Sequence, residues 1–178
     1  MTPDELFDLI AREAVDESPL WRSALRDPGE RSAEPVFSPL GEARFALAVE
    51  SIYEGYLLHH GRPRLFLPED FDQAVLLGDY LYAHGLVRLA SLGDVAAVAD
   101  LAELISLCSQ LRAESAPGDG VVWAATAACL GDGSGQLERA RAASRLERDT
   151  GPLEGLARAS VGDDALALAL RAHERHAF

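Results

Sequence analysis

The stretch Ala74-Val75-Leu76-Leu77-Gly78-Asp79-Tyr80-Leu81-Tyr82-Ala83 decides the fold. Apolar and small residues recur at three and four, through Ala74, Leu77, Gly78 and Leu81 and on to Gly85, Leu86 and Leu89. That is the period of one face of an α-helix, not the two-residue alternation of a half-buried strand. Pro68 before the stretch and Gly93-Asp94 after it bound a long helix over about residues 69–92. Glu69, Asp70 and Asp72 follow the proline, where a helix start favours acids, and they read as a cap. Asp79 stands on or near the apolar stripe and therefore predicts a polar partner, an Arg or a helix N-terminus.

The same period extends in both directions. Upstream, Phe45, Val49, Ile52, Tyr53 and Tyr56 predict a helix over 41–60, ended by Gly61 and Pro63. Downstream, Val98, Leu101, Ala102, Ile105, Cys108 and Leu111 predict one over 95–114. Residues 120–130 are almost wholly apolar and predict a buried helix. Residues 136–148, the piece opened by Thr150-Gly151-Pro152 and the piece after Gly162-Asp163-Asp164 predict three further helices. Near the start, Thr2-Pro3-Asp4-Glu5 carries a hydroxyl cap, a first-turn proline and first-turn acids. Residues 27–40 hold three prolines and a glycine and read as a loop. No stretch alternates, so the expectation is an all-α antiparallel bundle in one domain over 1–178. Its core helices lie at about 41–130, and residues 136–178 form peripheral C-terminal helices.

Composition narrows the function. The chain has 178 residues, is 48% hydrophobic and carries a net charge of −13, with sixteen Arg and no Lys. The acidic balance argues against nucleic acid as partner. No apolar run suits a membrane span, so stable insertion is not expected. The acidic start lacks a basic leader segment, which points to the cytoplasm. Without Lys there is no Schiff-base or P-loop lysine. Cys108 and Cys129 sit among apolar residues and read as buried, inert thiols. His59-His60 reads as a helix end, and His173-Glu174-Arg175-His176 as a solvated tail.

Leu77-Gly78-Asp79-Tyr80-Leu81-Tyr82-Ala83, followed by Leu92-Gly93-Asp94, resembles the "GDYL-x-A" helix and its turn in trans-type polyprenyl diphosphate synthases. Ala48-Val49-Glu50-Ser51-Ile52-Tyr53 with Leu57-Leu58-His59 is similar to the family helix that ends in the first aspartate motif. Gly61-Arg62-Pro63 is similar to the segment beyond it, and Trp123–Gly131 to the apolar helix after a Lys-Thr pair. The likeness covers about residues 40–131 and implies a truncated isoprenoid-synthase bundle.

The departures bear on chemistry. Family members ionise an allylic diphosphate with Mg²⁺ held by two aspartate-rich motifs. Here His60-Gly61-Arg62-Pro63 stands where the first motif belongs, and Asp119-Gly120 where the Lys-Thr pair belongs. Asp163-Asp164 lacks the third acid of a second motif. The resemblance thus implies a pseudoenzyme: a small, non-catalytic subunit that pairs with a catalytic polyprenyl diphosphate synthase, supports its activity and influences product length. It implies no cofactor of its own, Mg²⁺ entering only through the partner. It also implies substrate-side roles for Tyr53, Tyr56, Arg62 and Asp79, with Tyr53 and Tyr56 closing the pocket that receives the growing chain. The alternative is a stand-alone homodimeric binding or scaffold protein of the same degenerate fold.

Overall fold

A computed structural model describes residues 1–177. Its helices are α1 (Pro3–Glu17), α2 (Pro19–Ala24), α3 (Ala46–His60), α4 (Phe71–Ser91), α5 (Val95–Ala113), α6 (Asp119–Ala128), α7 (Gln136–Glu147), α8 (Gly151–Val161) and α9 (Asp163–Ala177). Short 3₁₀ turns at Pro28–Glu30, Ser38–Leu40 and Ala43–Phe45 punctuate the long connection from α2 to α3. The chain is all-α. Among the described residues no strand forms, and Leu25 and Phe66 make one isolated antiparallel bridge. No described helix is long and apolar enough to cross a membrane.

The helix ends follow local chemistry. Thr2 and Glu5 form a reciprocal capping box at α1. Asp70 accepts from the Gln73 amide at 2.8 Å, and Asp94 from the Ala97 amide at 3.0 Å. α5 ends in a Schellman turn in which the Ala116 amide donates to the Leu111 carbonyl at 2.8 Å. The left-handed position of that turn, usually glycine, is Ser115 with φ +51°.

α3 is the axle of the molecule. Every residue from Ala48 to Leu58 is buried, so α3 is covered on all sides. α4 runs antiparallel along it at close range. A Cβ on Gly55 would lie 2.8 Å from the Gly78 carbonyl oxygen, and one on Gly85 would lie 2.4 Å from Ile52 Cγ1. Gly55 on α3 and Gly85 on α4 thus allow the close approach, and a Cβ on Gly78 would press on the His59 ring.

Two apolar cores flank the axle. The smaller joins α1 and α2 to Leu58, Phe66, Leu77 and Leu81. The larger joins α3, α5 and α6 to the C-terminal helices, which contribute Leu153, Ala157, Leu166 and Ala169. Cys108 and Cys129 lie buried in it as free thiols.

Candidate functional site

The end of the bundle where α3 stops gathers a buried polar network around Asp119. Asp119, the first residue of α6, is held there after Gly118, whose φ of +115° suits glycine. Its carboxylate accepts a hydrogen bond from the Tyr56 hydroxyl of α3 and another, at 2.5 Å, from Arg112 Nη2 of α5. The Tyr56 oxygen in turn accepts from Arg112 Nε at 2.9 Å. From α9, His173 Nε2 lies 3.5 Å from Asp119, while its Nδ1 is 2.9 Å from the Tyr53 hydroxyl. One buried acid therefore ties together α3, α5, α6 and α9.

An aromatic block fills the space behind this network. The Tyr53 and Tyr56 rings stack at 6.0 Å, and the Trp123 ring meets them edge-on at 5.0 and 5.6 Å. Phe37 packs against Tyr53 and Trp123, and both tyrosines are at most 1% exposed. Tyr53 and Tyr56 titrate far above the usual phenol range, first because of burial. Burial alone would also push Asp119 up. The hydrogen bond from Tyr56, with His173 close by and the charge of Arg112, outweighs it and holds the carboxyl well below its usual range. The His60 ring lies 5.1 Å from that of Tyr56 and tilted against it, and burial, His59 and Arg112 lower its pKa.

A second buried network lies one turn back on α3. Arg64 is wholly buried and donates to Glu50 Oε2 at 2.7 Å and Glu54 Oε2 at 3.0 Å. Glu50 also accepts the Val36 and Ser38 amides at 3.1 Å, and Glu54 the Leu65 amide at 2.7 Å. The Arg64 guanidinium lies between the Phe7 and Tyr53 rings, 4.7 and 4.9 Å from their centroids. Two loops are thereby fastened to the axle.

The residues singled out from the sequence do not all converge. Tyr53 and Tyr56 meet at the Asp119 network. Arg62 is exposed, and only its backbone joins the site, donating to the His176 carbonyl at 2.7 Å. Asp79 is corrected: it lies outside the apolar stripe, its side chain is 66% exposed, and its partner is His59 at 3.2 Å rather than an Arg or a helix end. The reason is angular, since Asp79 is one residue, about 100°, past the buried Gly78. His173 is corrected too. It is 3% exposed and packed in the core, because α9 continues in register to the end of the described chain.

Sequence reasoning passed over Arg64. The signal was present in Glu50 and Glu54, two acids one turn apart on an otherwise apolar helix, which demand a buried cation. Among the described residues no three His, Cys, Asp or Glu side chains are grouped to hold a metal ion. Compared with known protein families, with curated proteins and with solved structures, the chain finds no match.

Proposed function

We propose that this chain is a non-catalytic subunit of a heteromeric polyprenyl diphosphate synthase, supporting the activity and product length of a catalytic partner in isoprenoid biosynthesis. One observation carries the reading. The two sequence positions that the resemblance aligns with the diphosphate machinery, His60 and Asp119-Gly120, are far apart in the chain yet meet at one end of the bundle. Tyr56 links them, its ring on His60 and its hydroxyl on Asp119. The likeness rests on order and spacing, and this meeting in space agrees with it.

At that junction the chain offers a buried carboxylate that is paired with Arg112, hydrogen-bonded by Tyr56 and flanked by His173, backed by packed rings. A diphosphate would meet a carboxylate where the family places its Lys-Thr pair. The chemistry therefore belongs to the partner, and Mg²⁺ reaches the complex through it. α4 supplies the surface for that partner. Its outer face carries Leu76 and Val87, 53 and 59% exposed, with exposed Ala83 between them at helical spacing. The net charge of −13 opposes pairing of two such chains at low salt and favours a less acidic partner.

The test is co-expression with each full-length synthase of the same source that carries both aspartate motifs. Capture of the complex is followed by prenyl-transfer assays with Mg²⁺, isopentenyl diphosphate and an allylic diphosphate. The reading requires no turnover by the chain alone, a stable complex with one synthase, and altered rate or product length in the mixture. Turnover by the chain alone, or association only with itself, would overturn it.

A further inference from the structure

α7 is held in two ways along its length. Its first half is anchored. Leu137 and Ala140 enter the larger core. Arg141, 3% exposed, donates to the Asp100 carboxylate at 2.9 Å, to the Asp100 carbonyl at 2.8 Å and to the Thr126 hydroxyl at 3.0 Å. The second half has no apolar anchor. From Ala142 to Arg148 only Ser144 is buried, its hydroxyl has no partner among the described residues, and Leu146 is 84% exposed. Ion pairs to α5 hold this half instead: Arg145 reaches Glu103 at 2.6 Å, and Arg148 reaches Glu114 at 3.0 Å.

Two hollows follow one another between α5 and α7. The first, of about 590 Å³, is bordered by Ala99, Asp100 and Glu103 of α5 and by Ala142 and Leu146 of α7. The second, of about 340 Å³, is bordered by Leu107, Leu111 and Glu114 and by Ser144 and Arg148. Arg145 borders both. Its guanidinium crosses to α5 at the step between them, on Glu103 and 3.4 Å from the Ser106 hydroxyl.

We propose that Arg145 is a latch across one continuous groove between α5 and α7. Its release lets residues 142–148 unwind from α5 as a flap while the first half of α7 stays in place. The proposal stands apart from the prenyl-synthase reading and needs no residue of the Asp119 network.

The energetics of the two halves differ in kind. Local opening occurs where few buried apolar contacts oppose it, and the second half of α7 has none from a large side chain. Both of its ion pairs are partly exposed, and such pairs are weak and screened by salt. The Arg141 contacts are buried, and salt reaches them much less. The boundary of the flap therefore falls just after Arg141. Under the flap lie Leu107 and Leu111, buried in the closed chain, so release uncovers apolar surface on α5. Ionic strength sets how often that surface is shown.

The probe is iodoacetamide, applied to the full Ser144→Cys chain at about 0.1 and about 1 M NaCl, with the labelled peptides identified by mass. Cys108 and Cys129 are buried in the larger core and report opening of the whole bundle. At low salt the thiol at position 144 should react at least about tenfold faster than Cys108. At high salt it should gain at least about threefold more while Cys108 keeps its rate. Adding Arg145→Gln should raise the low-salt rate about threefold or more and remove most of the salt effect. Amide exchange of the parent chain frees the test from the added cysteine: residues 143–148 should exchange faster at high salt, and residues 137–141 should not change. Position 144 labelled at the Cys108 rate would overturn the proposal. So would a rate indifferent to salt or to Arg145→Gln, or residues 137–141 opening together with 143–148.

Discussion

The Arg64 and Asp119 networks sit one turn apart on the same helix and solve burial differently. Around Arg64 each carboxylate oxygen of Glu50 and Glu54 has a donor, and the guanidinium is sandwiched between rings. Around Asp119 the contacts are short but incomplete. His173 Nε2 stops at 3.5 Å, and Trp123 Nε1 finds no acceptor among the described residues. A closed network fastens loops, whereas one with spare donors leaves part of the burial cost of its polar groups uncompensated.

The largest expected effect breaks the first network. Arg64→Met leaves two carboxylates buried without their cation and should cost about 3–5 kcal/mol in chemical denaturation. Adding Glu50→Gln and Glu54→Gln should restore part of the loss. If the triple variant is no better than Arg64→Met, the network acts through packing rather than charge.

Breaking the second network should cost less. Asp119→Ala strands Tyr56, Arg112 and His173 and should destabilise by about 1–3 kcal/mol. The pH dependence sharpens the contrast. Asp119 is held below its ordinary range in the fold, so its contribution is complete above the unfolded value of about 4 and is lost as pH falls through the lower folded value. The stability gap between the parent and Asp119→Asn should narrow only below about pH 4. A gap that closes between pH 7 and 5 would show that a histidine, not the aspartate, carries the link.

Histidine titration should give a smaller effect at the same end. His60 and His176 are lowered from the usual value, first by burial, so the folded chain takes up protons later than the unfolded one. Stability should therefore fall as pH drops through about 6.5, and the melting temperature should follow. The double variant His60→Gln with His176→Gln should flatten that slope. An unchanged slope would place the titrating groups elsewhere.

The smallest effect is a gain. Ser115→Gly relieves a left-handed φ at the end of α5 and should stabilise by about 1 kcal/mol in thermal melting. No gain would mean that Ser115 is comfortable where it stands.

The helices were legible because their apolar period is carried by many residues at once, as in α4, where Leu77, Leu81 and Leu89 point inward as read. Caps were legible for the same local reason, Thr2 and Asp70 lying next to the groups they satisfy. The buried networks were not. Asp119 depends on Tyr56, 63 positions away, and Tyr53 on His173, 120 away, and no local pattern encodes such pairings. Asp79 misled for a related reason: one residue of helical rotation separates core from solvent, and a stripe read from sequence does not resolve that step.

The most direct test of the proposed role targets the outer face of α4 rather than the buried networks. Val87→Glu changes a side chain that is 59% exposed, so the chain should keep its helicity and its melting temperature. In prenyl-transfer assays with the captured synthase, the variant should fail to associate, and rate and product length should revert to those of the partner alone. A folded Val87→Glu chain that still binds and alters the partner's products as the parent does would contradict the account.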